Sequence, residues 1–224
     1  MKIRSKEDLF DAMQKERAWR RKELTNIKSL IYSSRASHNQ VLVRAGVLML
    51  YSHWEGYIKK ACEAFFYYMN FKSIKYQDLN PNYLAIGIAD SFNGNFPQKK
   101  FSSYMRTVDF VVSEAESLKF KIDVETRVDT KSNLTTDVLK DLLDMIGVDS
   151  SHFTNNQHHI DARLLKLRNA IAHGEKTENN PNYKVNSEIF YDLYDRINSL
   201  IDHFEVILTN HIELEAYKAP KCKR

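Results

Sequence analysis

The chain has 224 residues, 43% of them apolar and 28% charged, with 33 Lys and Arg against 29 Asp and Glu for a net charge of +4. This is ordinary globular composition with enough length for a substantial core. Two cysteines, Cys62 in an apolar stretch and Cys222 near the end, argue against a disulfide framework. The charged N-terminus lacks a secretory apolar stretch, and no apolar run nears the ~18 residues of a membrane span. The expectation is a cytoplasmic protein with no membrane contact.

The first predicted element is a helix capped by Ser5, with Asp8 three residues on, running to about Ser33 on Leu9, Phe10, Met13, Leu24, Ile27 and Ile31. Its basic cluster, Lys15, Arg17, Arg20, Arg21 and Lys22, reads as a solvated face, as does the basic end at Lys218, Lys221, Lys223 and Arg224. Ser37-x-x-Gln40 reads as a capping box opening a long second helix. Val41, Leu42, Ala45, Leu48, Tyr57, Ala61, Phe65 and Met69 cover much of its circumference, so it should lie centrally.

Asn80-Pro81 predicts an N-cap and first helical position for a short helix carrying Leu84, Ile86 and Ile88. Asn93-Gly94-Asn95 predicts a turn, and a helix from about Phe101 to Leu118 follows. Lys119 to Asn133 alternates loosely, as a short hairpin or an irregular insert would. Thr135 to Ile146 is helical with Gly147 as the residue beyond its end. Ser150 to His158 reads as a loop. Ile160, Leu164, Leu167 and Ile171 then keep helical spacing. Glu178 to Asn182 reads as a second loop, and Ser187 with Glu188 starts a final helix through Phe190, Leu193, Ile197, Leu200, Ile201, Phe204, Ile207 and Leu208. The expected organisation is one all-α domain over residues 1–224, with an N-terminal helix (1–36), a core (37–210) and a basic tail (211–224).

The functional case rests on Leu167-Arg168-Asn169-Ala170-Ile171-Ala172-His173-Gly174-Glu175. An arginine and a histidine can hold an anionic phosphate and move protons near neutral pH without a metal. Gly174 suits a left-handed helix end, which puts His173 in the last turn, where backbone carbonyls favour a cation. Asn169 shares the His173 face, whereas Arg168 lies roughly 140° away around the helix. One copy supplies one histidine, and a two-step acid–base reaction is better served by two, as a homodimer apposing two helix ends would give.

Arg168 to His173 resembles the R-x4–6-H signature of the HEPN superfamily, including the polar residue after the arginine and the continuation into Gly174-Glu175. Arg44 to Lys59 looks like the first core helix of a standalone, toxin-like HEPN branch, and Ser132-Asn133-Leu134 leading into Val138-Leu139 and Ile146-Gly147 is similar to the same branch. The resemblance implies a HEPN-type helical bundle that dimerises with its motifs facing each other. It implies a metal-independent endoribonuclease that leaves 2′,3′-cyclic phosphate and 5′-hydroxyl ends, using no cofactor. Carried over, His173 is the acid–base group, Arg168 the phosphate clamp and Asn169 the orienting residue; Glu55 is the polar core-helix residue aimed at the motif. A toxin or abortive phage-defence role implies an RNA substrate and a cognate antitoxin or sensor protein. The competing reading is a catalytically silent HEPN module that binds RNA or nucleotide, or scaffolds a defence or toxin–antitoxin complex.

Other signals are weaker. Arg196 and His203 also satisfy the motif spacing, but no helix stop or Asn-and-Gly context surrounds them. His158-His159-x-Asp161 lacks a second cluster at metal-ligand spacing. His53 reads as a packed histidine. Phe65, Phe66, Tyr67 and Tyr68 read as core in preference to base-stacking groups. Phosphate-binding, dinucleotide-binding and serine-hydrolase glycine motifs do not occur.

Overall fold

The longest apolar stretch of the chain forms the axis of the molecule. In the computed structural model, which describes residues 2–91, 101–176 and 183–220, helix α2 (Ala36–Lys72) buries Val43, Val47, Leu50, Trp54, Ile58, Ala61 and Phe65. These positions share one stripe, but Gly46, His53, Cys62, Ala64 and Phe66 are buried at other angles around the helix, so neighbours must cover α2 from several directions. Helix α1 (Lys6–Ser33) and the final helix α9 (Ser187–Glu213) supply two of them, and the motif helix α8 (Lys166–Ala172) a third. Both long helices turn an apolar stripe inward: Leu9, Met13, Leu24 and Ile31 from α1, and Phe190, Leu193, Ile197, Leu200 and Phe204 from α9.

Shorter elements close one side of this frame. They are α3 (Pro81–Ser91), α4 (Phe101–Asp109), α5 (Val124–Arg127), α6 (Thr136–Ile146) and α7 (Ser151–Thr154). Tyr83 of α3 donates its hydroxyl to the Ile146 carbonyl at 2.7 Å, satisfying one carbonyl at the end of α6. Extended pairing among the described residues is limited to isolated bridges, Lys75 with Lys119 and Leu79 with Lys218. The fold is all-α.

The Ser5 cap forms as expected, accepting the Asp8 N–H. Thr135, read as the first residue of its helix, caps it by accepting the Val138 N–H, and Asn186, one residue before the expected start at Ser187, accepts the Ile189 N–H. The Ser37–Gln40 capping box does not form. Helix α2 starts at Ala36 behind Arg35, and Gln40 Nε2 instead donates to the Val185 carbonyl. The predicted helix to Leu118 changes at Phe110–Glu114 into a π-helical stretch, and the Ser150–His158 loop contains α7. Lys119 to Asn133 is no hairpin. It makes one bridge, one turn of helix and a tight turn. The Asn93-Gly94-Asn95 turn and the Glu178–Asn182 loop lie outside the described residues.

The basic cluster of α1 also departs from expectation. Arg17 and Arg20 are buried, Arg17 on Asp202 at 2.7 Å and Arg20 on Glu16 at 2.8 Å. Gly56 makes room for Arg20, since a Cβ there would sit 2.7 Å from its Nη1. Likewise the segment after α9 is docked: Tyr217 is fully buried, and its carbonyl accepts the Asn80 N–H.

Candidate active site

A π-helical stretch, His158–Leu165, runs directly into α8. Its wider turn brings both Leu164 and Leu165 inward, ahead of Leu167, Ala170 and Ile171. Asp161 leaves this stretch to accept the Thr136 N–H at 2.9 Å, satisfying an open donor at the start of α6. The motif helix is therefore pinned before the motif begins.

Its other end is closed by a Schellman cap. Gly174, at φ +78°, donates to the Ile171 carbonyl, and Glu175 donates to that of Ala170. From α2, Arg44 Nη1 donates to the Glu175 carbonyl at 2.6 Å, tying the cap to the central helix. His173 is the last residue before the left-handed turn, and its ring is exposed.

Arg168 is held on a different side. Its Nη1 donates to Asn133 Oδ1 at 2.9 Å and to Asn169 Oδ1 at 2.7 Å, and the guanidinium lies 4.6 Å above the Tyr51 ring centroid. Two acceptors and a π-face restrict a side chain that is otherwise costly to order. Both bonds run through Nη1.

The supports of Arg168 are themselves supported. Tyr51, buried in α2, accepts the Leu134 N–H at 2.8 Å and lies against the Glu55 carboxylate one turn on. Burial, with Glu55 acting in the same direction, pushes the Tyr51 phenol up to about 12, so it stays a neutral donor. Asn133 emerges from a turn in which Lys131 and Ser132 both adopt left-handed backbone, held by Asp129 Oδ1 on the Lys131 N–H. The Asn133 N–H donates in turn to the Thr130 carbonyl.

Of the residues read from the sequence, Arg168 and Asn169 meet directly, and Glu55 reaches the arginine's surroundings through Tyr51. Arg168 and His173 do not stack on one face. Asn169 joins their two sides: its side chain holds Arg168, its carbonyl accepts the His173 N–H, and it lines a groove of about 440 Å³ with His173. Asn133 and Tyr51 were inside segments marked by resemblance, but no local spacing assigned them to Arg168.

The remaining candidates lie elsewhere. His53 is buried beside Trp19, within 3.0 Å of Glu23, and burial followed by the Arg20 charge lowers its pKa. His203 packs on the His152 ring at 4.1 Å, while Arg196 is exposed. Phe65, Phe66 and Tyr68 are core residues. Asp161 is engaged with α6, and the described residues contain no group of three or more His, Cys, Asp or Glu arranged to hold a metal ion. No helix among them is long and apolar enough to cross a membrane.

An all-α fold whose motif helix ends on this arginine–asparagine–histidine arrangement is a HEPN domain. The RiboL-PSP-HEPN family model matches residues 15–210, and the chain belongs to that family. HEPN domains of this kind are nuclease-like or RNA-related. No curated protein and no solved structure matches the chain.

Proposed function

We propose that the protein is a metal-independent endoribonuclease acting as a cytoplasmic toxin or phage-defence effector, and that its working form is a homodimer. The observation that carries the reading is that one short helix holds a positioned cation and an exposed imidazole, both bonded to Asn169: Arg168 oriented by Asn133 and Asn169, and His173 standing at the Schellman cap.

The chemistry follows from those groups. Arg168 binds the scissile phosphate and neutralises charge that grows in the transition state. A neutral imidazole takes the proton of the ribose 2′-hydroxyl as its oxygen attacks phosphorus. The bond to the 5′-oxygen breaks, and an imidazolium protonates that leaving oxygen. The products are a 2′,3′-cyclic phosphate and a 5′-hydroxyl. Attacking and leaving oxygens stand on opposite sides of phosphorus, so one His173 serves one of them and a second copy's His173 the other. Glu55 and Asn169 act as positioning residues for Arg168. Such an activity must be restrained in its host, which implies a cognate antitoxin or sensor protein as partner.

The test is cleavage of a mixed RNA pool in EDTA by wild type, Arg168→Ala and His173→Ala. Cleavage by wild type alone, with cyclic-phosphate ends, supports the reading. Equal cleavage by all three overturns it, and binding without cleavage marks a silent RNA-binding module.

A further inference from the structure

The groove beside His173 contains groups that proton transfer and phosphate binding do not use. Its walls include Asp161, Lys166, Asn169, His173, Glu175 and Tyr183. Tyr183 lies well beyond the motif in sequence, on the stretch leading into α9, yet its half-buried ring lines the same groove as the exposed imidazole. Lys166 Nζ sits 5.3 Å from the Tyr183 ring centroid, so a cation holds one face of the ring.

Charge decides what this groove accepts. Two carboxylates, Asp161 and Glu175, face the ammonium of Lys166 and the His173 ring, so the walls carry no positive excess to hold a phosphate. A nucleobase is neutral, offers a π-face to tyrosine and carries N–H donors that a carboxylate accepts. The phosphate belongs on the other side of Asn169, with Arg168.

We infer that the groove is a nucleobase subsite, in which Tyr183 stacks the base of a nucleotide flanking the scissile phosphate, with Lys166 beside the ring in the same wall. The inference rests on the nuclease reading for its geometry, since it places the base next to the linkage at which His173 transfers a proton. Stacking on a single aromatic side chain is worth roughly 5- to 150-fold in affinity and tolerates any base, so the subsite sets where along a strand the cut falls and not which base flanks it.

The experiment uses a single-stranded RNA oligonucleotide with one cleavage position mapped with wild-type protein. A set of versions replaces each flanking nucleotide in turn by an abasic ribose. Wild type loses roughly tenfold in kcat/KM when one particular base is missing. Tyr183→Ala shows a loss of the same size on the intact RNA and no further loss on that abasic version. Tyr183→Phe, which keeps the ring, stays near wild type and guards against a folding defect. Independent, multiplying losses at every position overturn the subsite, as does wild-type behaviour of Tyr183→Ala.

A second arm measures fluorescence anisotropy of the same oligonucleotide with His173→Ala protein, with and without Tyr183→Ala. Weaker binding of the double variant supports the subsite, and equal binding overturns it. This arm gives an answer even if wild type cleaves no RNA, which defeats the nuclease reading alone.

Discussion

Arg168 and Asn133 stand 35 residues apart in the chain and share a hydrogen bond of 2.9 Å from Nη1 to Oδ1. The asparagine comes from a turn with two successive left-handed residues, the arginine from the helix that carries His173. Neither segment has a local reason to meet the other. Together with Tyr51 beneath the guanidinium, the pair converts a flexible surface arginine into an oriented one.

Removing that orientation should show in turnover more than in binding. Asn133→Ala is expected to lower kcat roughly 10- to 100-fold, the range for losing a hydrogen bond to a charged group, with a smaller change in KM. Asn133→Asp keeps an acceptor but neutralises Arg168, so its KM should rise and its salt dependence weaken. Steady-state kinetics on a defined RNA read both, and a kcat unchanged in Asn133→Ala rules out the positioning role.

Tyr51 separates stability from chemistry. Tyr51→Phe leaves the Leu134 N–H buried without its acceptor, at an expected cost of about 1–3 kcal/mol in urea unfolding. The ring under Arg168 remains, so cleavage measured well below the unfolding transition should fall little. Tyr51→Leu removes the π-face as well and should lose activity and stability together.

Gly174 tests backbone conformation alone. Nothing lies within 4 Å of a Cβ built there, so Gly174→Ala meets no clash and pays only for its left-handed φ of +78°. The expected loss is about 1 kcal/mol by thermal denaturation, and Gly174→Asn should lose less because asparagine tolerates this region. Activity of the alanine variant should drop further than its stability, because the Schellman cap sets where His173 stands.

Acid should weaken the fold through His211. Burial lowers its pKa to about 4 against an ordinary value of 6.5, with the Tyr83 hydroxyl 3.4 Å from its Nε2. The folded state therefore binds fewer protons than the unfolded one between these values. This contribution is fully present above about pH 6.5 and declines as pH falls toward 4, by about 3 kcal/mol in all. His53, also lowered by burial and then by Arg20, adds a slope of the same sign. Urea midpoints for wild type and His211→Gln across this window isolate the term: the variant's stability should change less, and identical slopes would contradict the assignment.

Much of the helical framework was legible before any coordinates. Ser5, Thr135, Pro81 and Gly147 mark helix ends because capping and backbone preference act over three or four residues. The apolar stripes of α1, α2 and α9 follow from periodicity in the same local way. Arg168, Asn169 and His173 were legible as a motif, and Gly174 as its stop. The Ser37–Gln40 box misled because Gln40 found a tertiary acceptor, and the basic face of α1 misled because Asp202 and Glu16 could neutralise buried arginines.

What the amino-acid order determined by itself was the long helices, their apolar stripes and the location of the motif at a helix end. Only the tertiary structure decided that Asn133 and Tyr51 hold Arg168, that Asn169 stands between the arginine and the histidine, and that Tyr183 joins the groove. Periodicity and caps are interactions between near neighbours, readable from spacing. The partners of a guanidinium or a groove are chosen by which distant segments packing brings together, and spacing along the chain carries no record of that choice.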